Sequence, residues 1–459
     1  MTQPSEDEQR RMVAFWRSAY HPSSELGEKA NAFAALKRMQ ADLKLSDVEL
    51  AFICESTITA DAAPRGEPPD LLCQILGLFE GLHIILATLA REIAVALWAA
   101  HTHVFERFLH TPRLLAQSSE PECGKTTLFM CLEQLVHNGE YSDDFTPATI
   151  YHQLNEQPDT CLLLDEIDNS SLWNSDPLLR KVFNAGHRRG GNVRRLIKGE
   201  IVRLPCFAPL ALASISKYRF PAPLWSRSIV IDMEKRAEGL DEIWPGDSRC
   251  ALVRAGMSEF AANFQIPLNV KIPFSGRARN NWEPLIAVAT TLGYPETGRA
   301  VALEIHRSAM ADDPVTRVFR DIHQVFEGRK IDRVWTDPEL LSALRKEFGW
   351  DEFWGLSGDE DPHKLTRGEL YRLLKTKGIR SQSVFKEVAG RRVSKKGFLR
   401  EQFEHVWRQL FPGTPAQPSN IIRLTRHKKR NSAGTGGSDV DDDIGRDIGD
   451  DALNEGEGS

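Results

Sequence analysis

The sequence of 459 residues lacks the cysteine spacing on which zinc sites and disulfide frameworks depend. Its seven cysteines are scattered, none forms a C-x-x-C pair, and no pair of histidines stands near them. We therefore expect neither bound zinc nor a disulfide framework. Cysteines that form neither disulfides nor metal sites are typical of proteins in a reducing compartment. We therefore expect a cytoplasmic protein.

A long uninterrupted apolar run is also missing. The most apolar stretch, residues 71–100, contains Glu80, His83, Arg91 and Glu92. Such side chains are costly in lipid, so the stretch predicts pairs of buried helices and no membrane span. The first residues, MTQPSEDEQRRM, are polar and acidic, and no secretory signal is expected from them.

The last part of the chain is poor in basic residues. Between residues 438 and 459, nine acidic residues stand against Arg446, while the whole chain has a formal net charge of −6. The remainder of the chain therefore carries +2. The acidic, Gly-rich segment is predicted to be disordered. The basic run before it, RLTRHKKR, is either a solvated linker or an arm that contacts phosphates.

Blocks of helical and strand-like pattern divide the chain. After an early helical block and a break at ITADAAPRGEPPD, short apolar runs alternate with helices, which is typical of an α/β unit with a parallel sheet. The predicted domains are a small helical unit at 1–60, a sheet core with leading helices at 61–236, a helical lid at 237–312, a basic domain at 313–412 and a tail at 413–459.

A phosphate-binding pattern follows the first strand-like run. The run PRLLAQS precedes SSEPECGKTT, and the helical pattern KTTLFMCLEQLV follows. Strand, loop and helix in this order present the free N–H groups and positive dipole end of a helix to phosphate. Lys125 is expected to reach the β- and γ-phosphates of ATP, and the Thr126 hydroxyl to ligate Mg²⁺. The other candidate loop residues are Glu122, Cys123, Gly124 and Thr127.

This loop has Ser119 where such loops usually have their first glycine. That glycine mainly permits a tight turn, whereas the N–H groups of residues 122–127 hold the phosphates. Ser119 is small, and its neighbours Ser118 and Pro121 suit a turn. We expect a competent but less pliable loop, and the substitution is expected to affect the affinity for ATP.

Two carboxylates end the next buried-strand pattern, CLLLDEID. Because the carboxyl ends of parallel strands share one edge of a sheet, Asp165 is expected beside the loop, where it holds the water shell of the metal. Glu166 is expected to activate the attacking water. Asp168 fits a helix N-cap or a turn.

Further candidates lie on later strands and in the lid. The pattern APLALASIS ends in Ser214 and Ser216, either of which could donate a hydrogen bond to the γ-phosphate or to the water. Arg227 precedes the next strand, at the rim of the sheet. It could stabilise charge on the γ-phosphate of a neighbouring subunit, or form a local salt bridge. Arg277 or Arg279 heads a lid helix and could sense the γ-phosphate.

Five segments of the chain resemble one family. They are ALWAAHTHVFERFLHTPRLLAQSSEPECGKTTL, TCLLLDEIDN, LLRKVFNAGHRRGGNVRRL, PLWSRSIVIDM and ARNNWEPLIAVA. From about residue 95 to about residue 410 the chain resembles the domain-of-unknown-function 3631 family, AAA+-like P-loop ATPase modules of phage and mobile-element replication proteins. The resemblance implies the fold and ATP, and leaves the substrate undefined. By it, the loop lysine, metal-side hydroxyl, metal-side acid, catalytic base and finger are Lys125, Thr126, Asp165, Glu166 and Arg227.

A dense basic segment at residues 364–400 has twelve Lys and Arg against two Glu. Thr366 caps a helical pattern that Gly378 ends, SQSVFKEVA is predicted to be a second short helix, and GRRVSKKGFLR a turn and wing. This order fits a winged helix, whose second helix enters the major groove of DNA. Without an aromatic stacking series, duplex binding led by phosphate contacts is favoured. The candidate contacts are Arg380, Lys386, Arg391, Arg392, Lys395 and Lys396.

The alternative for this segment is a basic face that serves only solubility or docking of the acidic tail. A second cluster, GHRRGGNVRRLIKG, could follow a nucleic-acid backbone from the pore of a ring, or Arg188 and Arg189 could pair across a subunit boundary. His187 fits a structural hydrogen bond better than acid–base chemistry. The cationic candidates in this cluster are Arg188, Arg189, Arg194, Arg195 and Lys198.

The sequence thus predicts an α/β, AAA+-like P-loop protein that binds and hydrolyses ATP with Mg²⁺ and acts on DNA. A helicase-like replication factor is the leading interpretation, with a homo-oligomer, a ring being one option. Two alternatives stay open. One is a regulator whose DNA binding is switched by ATP without translocation, and the other is a nucleotide-binding scaffold for a separate primase or nuclease.

Overall fold

A computed structural model describes residues 4–63, 70–82, 84, 86–118, 123–165, 167, 177–197, 199–214, 222–234, 246–351, 353 and 363–411. Several sequence predictions therefore fall outside the described residues. They concern Ser119, Glu122, Glu166, Asp168, Lys198, Ser216 and the tail at 413–459.

Ten strands are present in the described ranges, and five of them form a parallel sheet at the centre of the chain. The strands are β1 Arg113–Gln117, β2 Gly139–Ser142, β3 Cys161–Leu164, β4 Asn192–Ile197, β5 Glu200–Pro205, β6 Leu210–Ser214, β7 Ser228–Asp232, β8 Arg333–Trp335, β9 Gln382–Val388 and β10 Arg391–Leu399. The central sheet has the order β2-β3-β6-β1-β7, and every neighbouring pair is parallel. The predicted parallel sheet is confirmed.

Sixteen α-helices lie in the described ranges, and several of them cover this sheet. They are α1 Glu6–Tyr20, α2 Leu26–Leu43, α3 Asp47–Ala62, α4 Leu71–Gly81, α5 Leu89–Thr102, α6 Lys125–Leu135, α7 Pro147–Glu156, α8 Pro177–Ala185, α9 Ala222–Trp225, α10 Ser248–Asn263, α11 Gly276–Thr291, α12 Pro295–Asp312, α13 Pro314–Arg329, α14 Leu341–Glu347, α15 Arg367–Lys375 and α16 Glu404–Leu410.

The strands are apolar throughout because both faces of the sheet are covered. Along β1, Leu114 and Ala116 pack into the core with α5, α6 and α11, whereas Leu115 packs into the core with α7 and α8. Strands buried on both faces read as continuous apolar runs, which is why they could be recognised from sequence. The connection after β1 leads to β2 at one end of the sheet, whereas the connection after β6 leads to β7 at the other end. The two connections therefore diverge beside β1. Such a divergence opens a crevice at the carboxyl ends of the strands.

The N-terminal helices α1 to α3 form a small core of their own, and α3 contacts α12. The carboxylate of Glu55 accepts hydrogen bonds from the backbone N–H groups of Glu296, at 3.0 Å, and Thr297, at 2.9 Å. Burial raises the pKa of Glu55 to about 7, although hydrogen bonds from Thr297 act to lower it. Helix α3 runs on to Ala62, so the predicted linker at 58–70 was placed too early.

The segment from α13 to α16 builds a separate core around a small antiparallel sheet of order β8-β10-β9. Residues 382–388, predicted to be a second short helix, are strand β9, and that prediction was wrong. Val384 is buried between the exposed Ser383 and Phe385, an alternation of period two, and β9 pairs with β10 along its whole length. Pairing with a partner strand thus overrides local helical pattern.

Candidate functional site

The carboxyl ends of the central strands meet at one edge of the sheet. The N–H of Ser118, directly after β1, donates to the carbonyl of Ser214 at 3.2 Å. The N–H of Asp165, directly after β3, donates to the carbonyl of Ser142 at 3.0 Å. The ends of β1, β6, β3 and β2 are therefore joined at this carboxyl edge, and Ser118, Asp165 and Ser214 are all buried there.

Helix α6 begins at the same edge through a left-handed glycine. Gly124 has φ +84° and is the N-cap of α6, and its carbonyl accepts the N–H of Leu128 at 2.9 Å. Glycine adopts this backbone conformation without the cost that a Cβ imposes. The start of a helix presents backbone N–H groups and the positive end of the helix dipole, which together favour an anion.

Lys125 and Thr126 are the first residues of α6. The Lys125 ammonium lies 3.3 Å from the Sγ of the buried Cys123, so the side chain folds back over the end of the loop. The hydroxyl of Thr126 donates to Asp165 Oδ2 at 2.8 Å. The structure therefore brings the helix-start hydroxyl into contact with the strand-end carboxylate, and the loop lysine is the residue before that hydroxyl in sequence.

Tyr141 is a member of this group that sequence reasoning missed. Its hydroxyl donates to Asp165 Oδ2 at 3.3 Å. It lies on β2, which is short and largely polar, and the only signal for it was an aromatic residue close to the end of a strand. Two hydroxyl donors on one carboxylate oxygen fix the orientation of Asp165.

A hydroxyl and a carboxylate are hard oxygen ligands of the kind that Mg²⁺ takes together with substrate phosphates. Thr126 and Asp165 therefore fit the predicted metal-side roles. Within the described ranges, no three His, Cys, Asp or Glu residues are grouped so that they could hold a metal ion by themselves. A site of this type would take its other oxygen ligands from phosphate and water.

A polar network lies beside the site, between the ends of β1 and β7. The amide of Gln117 donates to Asp232 Oδ1 at 2.5 Å, and Arg91 from α5 donates to Asp232 Oδ2 at 3.4 Å. Glu234 lies 3.9 Å from the other guanidinium nitrogen of Arg91. Asp232 ends the strand pattern SIVID, a signal that sequence reasoning used only to define the strand.

Arg227 and Arg277 lie at the opposite, amino edge of the sheet. The carbonyl of Arg227 accepts the N–H of Arg113, the first residue of β1, at 3.0 Å. Its guanidinium donates to the carbonyl of Pro223 at 2.6 Å, and Arg277 donates to the hydroxyl of Ser226 at 2.6 Å. A five-residue strand spans roughly 16 Å, so neither arginine joins Lys125 and Asp165 of its own chain.

Burial, followed by the nearby charge of Arg277, lowers the pKa of Arg227. Two guanidinium groups thus stand close together at the amino edge. Arg279, the other lid candidate, forms an ion pair with Glu283 at 2.9 Å, one turn further along α11. Of the two lid candidates, Arg277 is therefore the one that lies close to Arg227.

Two buried side chains, Arg113 and His187, form hydrogen bonds at the amino edge. Arg113 donates to the carbonyls of Ala208, at 2.6 Å, and Phe183, at 2.9 Å, and burial lowers its pKa to about 9. The Nε2 of His187 lies 3.0 Å from Asn281 Oδ1, and burial lowers its pKa to about 3. A histidine in this state is neutral and serves as a hydrogen-bonding group.

The second basic cluster forms an antiparallel hairpin, β4 and β5, between α8 and β6. Arg194 and Arg195 are exposed on β4, and Arg195 donates to the hydroxyl of Tyr151 at 3.3 Å. Leu196 and Ile201 pair directly across the hairpin, and both are 73% exposed. Arg188 and Arg189 are exposed before the hairpin, where Arg188 forms a β-bridge with His110.

The cations of the C-terminal sheet fall into two groups. Arg380, Arg391, Arg392, Lys395 and Lys396 are exposed. Lys386 differs, because its ammonium forms an ion pair with Glu339 Oε2 at 2.6 Å. The four residues on β10 are therefore better placed than Lys386 to meet an anion.

Residues 244–410 match the model of a family described as a protein of unknown function, DUF3631. The match confirms the resemblance for this part of the chain, and of the five segments that suggested it, ARNNWEPLIAVA alone lies inside the range. For the strands and the glycine-lysine loop before residue 244, the resemblance stays a prediction. No curated protein matches the chain.

Among solved structures, the chain is similar to the C-terminal region of NrS-1. An A-form apo structure of that region has 12% sequence identity and a TM-score of 0.31, over 73% of this chain and 76% of that chain. Another apo structure of the same region has 12% identity and a TM-score of 0.32 over the same shares. No helix in the described part of this chain is both long enough and apolar enough to cross a membrane.

Proposed function

We propose that this protein binds and hydrolyses ATP at the carboxyl edge of its parallel sheet and uses the cycle to act on DNA. One observation carries the proposal. The left-handed Gly124 starts α6 beside the strand-end carboxylate of Asp165, and Thr126 bridges the two at 2.8 Å. A helix start and an oriented carboxylate at a divergence of parallel strands are what a nucleotide with its metal requires.

Each group in the site has a distinct task. The start of α6 receives the phosphates through the positive end of the helix dipole, and the Lys125 ammonium moves from Cys123 to neutralise them. Thr126 and Asp165 are the residues that would hold Mg²⁺, and the metal would supply neutralisation of phosphate charge. Glu166 follows Asp165 directly and, by its sequence position, serves as the base that activates water.

The proposed active assembly contains more than one copy of the chain. Arg227 and Arg277 form a pair of cations on the edge opposite the loop, where they do not reach the site of their own chain, and in this proposal they serve the nucleotide of another copy. An arginine that reaches a neighbouring γ-phosphate stabilises the charge that develops during hydrolysis. This arrangement supports a homo-oligomer in which each interface completes a site.

DNA is the proposed partner of the C-terminal basic domain. The order of α13, β8, α14, α15, β9 and β10 supports a winged helix in which α15, and not residues 382–388, takes the place of the second helix. The hairpin of β9 and β10 is then the wing. The exposed cations of β10 would lie along the phosphate backbone, which favours binding of any duplex sequence.

The test is ATP turnover by the full chain without DNA, with single strands and with duplex, beside the Glu166→Gln variant. We expect Mg²⁺-dependent turnover that DNA stimulates, and a variant that binds ATP but turns it over about a hundredfold or more slowly. A chain that binds no ATP in calorimetry would overturn the proposal. Turnover that DNA leaves unchanged, with DNA affinity that ATP alters, would favour the regulator over the helicase-like factor.

A further inference from the structure

The hairpin of β9 and β10 presents one open aromatic face. Its turn, Ala389–Gly390, has positive φ at both residues, +49° and +74°, which is typical of a tight two-residue turn that fixes strand register. In this register Phe385 lies opposite Ser394, and Glu387 lies opposite Arg392. Because side chains alternate along strands, these four lie on the same face of the hairpin.

Phe385 is 44% exposed, and the guanidinium carbon of Arg392 lies 4.5 Å from the centre of its ring. The small Ser394 opposite leaves the ring uncovered by a bulky neighbour. Arg333 adds a second guanidinium, which donates to the Phe385 carbonyl at 3.4 Å. An aromatic ring with an arginine plane against it is the arrangement on which unpaired bases stack.

An aromatic residue on another strand of this sheet, Trp335 on β8, shows the contrast. Trp335 is 6% exposed, and its indole N–H donates to the Val384 carbonyl at 2.9 Å. The ammonium groups of Lys395 and Lys386 lie 4.8 and 5.4 Å from its ring centre. Trp335 is therefore part of the packing, whereas Phe385 remains accessible.

An open cavity of about 470 Å³ lies against this face. Phe385, Arg333 and Arg392 line it together with Asp332 and Glu387. Arginine planes and the phenyl ring offer stacking surfaces, while the carboxylates can accept hydrogen bonds from the amino groups of a base. The exposed cations further along β10 can hold the phosphates on either side.

We propose that this face binds one unpaired base of a DNA strand, stacked on Phe385 and flanked by Arg392, so that the hairpin holds the junction between duplex and single strand. The inference rests on the proposed DNA-binding function and narrows its substrate from any duplex to a duplex with a single-stranded extension.

The experiment compares Phe385→Ala with Val388→Ala in the full chain. Val388 is also exposed on β9, at 47%, but it lies on the other face of the hairpin. The probes are a blunt duplex and the same duplex with a single-stranded tail, which carries 2-aminopurine at its first unpaired position. We expect Phe385→Ala to weaken binding of the tailed duplex about tenfold and to abolish fluorescence quenching. Blunt-duplex affinity should change less than about twofold, and Phe385→Trp should restore tailed binding.

Equal loss for tailed and blunt DNA would overturn the inference, because Phe385 would then support the fold or general phosphate contact. Unchanged affinity for both probes would also overturn it, and would leave Phe385 to a protein contact, while the proposed DNA binding stands. Absence of any DNA binding by the wild-type chain would overturn the DNA-binding part of the proposed function together with the inference.

Discussion

The two edges of the central sheet carry opposite chemistry. The carboxyl edge has hydroxyl and carboxylate groups, with Thr126 and Asp165 in contact, and the start of α6. The amino edge has Arg113, Arg227 and Arg277, which donate to the carbonyls of Ala208, Phe183 and Pro223 and to a serine hydroxyl. One end of the sheet therefore carries oxygen ligands and a helix start, and the other end carries a cluster of cations.

The difference follows from the direction of the chain. In a parallel α/β unit, helices start at the carboxyl edge and end at the amino edge, so free N–H groups collect at the first and free carbonyls at the second. Arg113 binds such a carbonyl at the amino edge, because its guanidinium donates to the carbonyl of Phe183 in the last turn of α8. In the proposed function the carboxyl edge serves the chain's own nucleotide, and the cations of the amino edge serve an anion that another molecule brings.

The largest expected effect tests the carboxyl edge alone. Lys125→Ala should abolish ATP binding in a calorimetric titration, because it removes the ammonium at the start of α6. Lys181→Ala, an exposed lysine on α8, is the matched control and should bind ATP as the wild type does. Unchanged affinity in Lys125→Ala would remove the nucleotide from this edge.

The next effect tests whether the amino edge works between copies. Arg227→Ala should slow hydrolysis by on the order of a thousandfold and spare ATP binding. Arg277→Ala should have the same sign and a smaller size, since it supports Arg227 through Ser226.

Mixing Arg227→Ala with Glu166→Gln decides between action within one chain and between chains. Assembly of the two variants should restore part of the turnover, because some interfaces then contain an intact base and an intact arginine. A wild-type protein that sediments as a monomer with ATP and DNA would contradict the model of an arginine in trans.

A smaller effect tests whether DNA is contacted by the C-terminal hairpin and not by either edge of the central sheet. Replacing Arg391, Arg392, Lys395 and Lys396 with alanine should make the log–log salt dependence of duplex affinity shallower by up to about three to four units. Basal ATP turnover should stay close to wild type, because these residues lie on the C-terminal hairpin. The double variant of Arg10 and Arg11, exposed on α1, is the control. A wild-type slope in the fourfold variant would move DNA contact to the Arg188–Arg195 region.

The smallest effect concerns protonation at the amino edge. The pKa of His187 is about 3 in the folded chain, against an ordinary value of 6.5, so the unfolded chain binds this proton first as pH falls. The free energy of unfolding should therefore fall below pH 6.5, by about 1 kcal/mol from this group between pH 7 and 5.5.

Urea unfolding of His187→Gln should show a pH dependence weaker by that amount, while His152→Gln, exposed on α7, should match the wild type. Some dependence will remain, because the buried His101 also has a pKa of about 3. Identical pH profiles for His187→Gln and the wild type would contradict the assignment of a neutral, buried His187.

Continuous apolar runs and a helical period of 3.6 residues were sufficient to find the central elements. The runs around β1, β3, β6 and β7 are apolar because both sheet faces are covered, and α6 was recognisable after its glycine. The hydroxyl and carboxylate pair was predictable too, since parallel strands must end at one edge. Tyr141 was missed because β2 has few apolar residues, and residues 382–388 were misread because their pairing with β10 is not a local property.

By itself the sequence determined which residues start α6, which carboxylates end the strands and where positive charge is concentrated. These are local matters of residue order, since each follows from the backbone next to it. Only the tertiary structure decided that Arg277 joins Arg227 on the far edge, that Lys386 is engaged by Glu339 and that Phe385 remains open while Trp335 is covered. Each of these depends on residues distant in the chain, whose approach is set by sheet order and packing rather than by any neighbour in sequence.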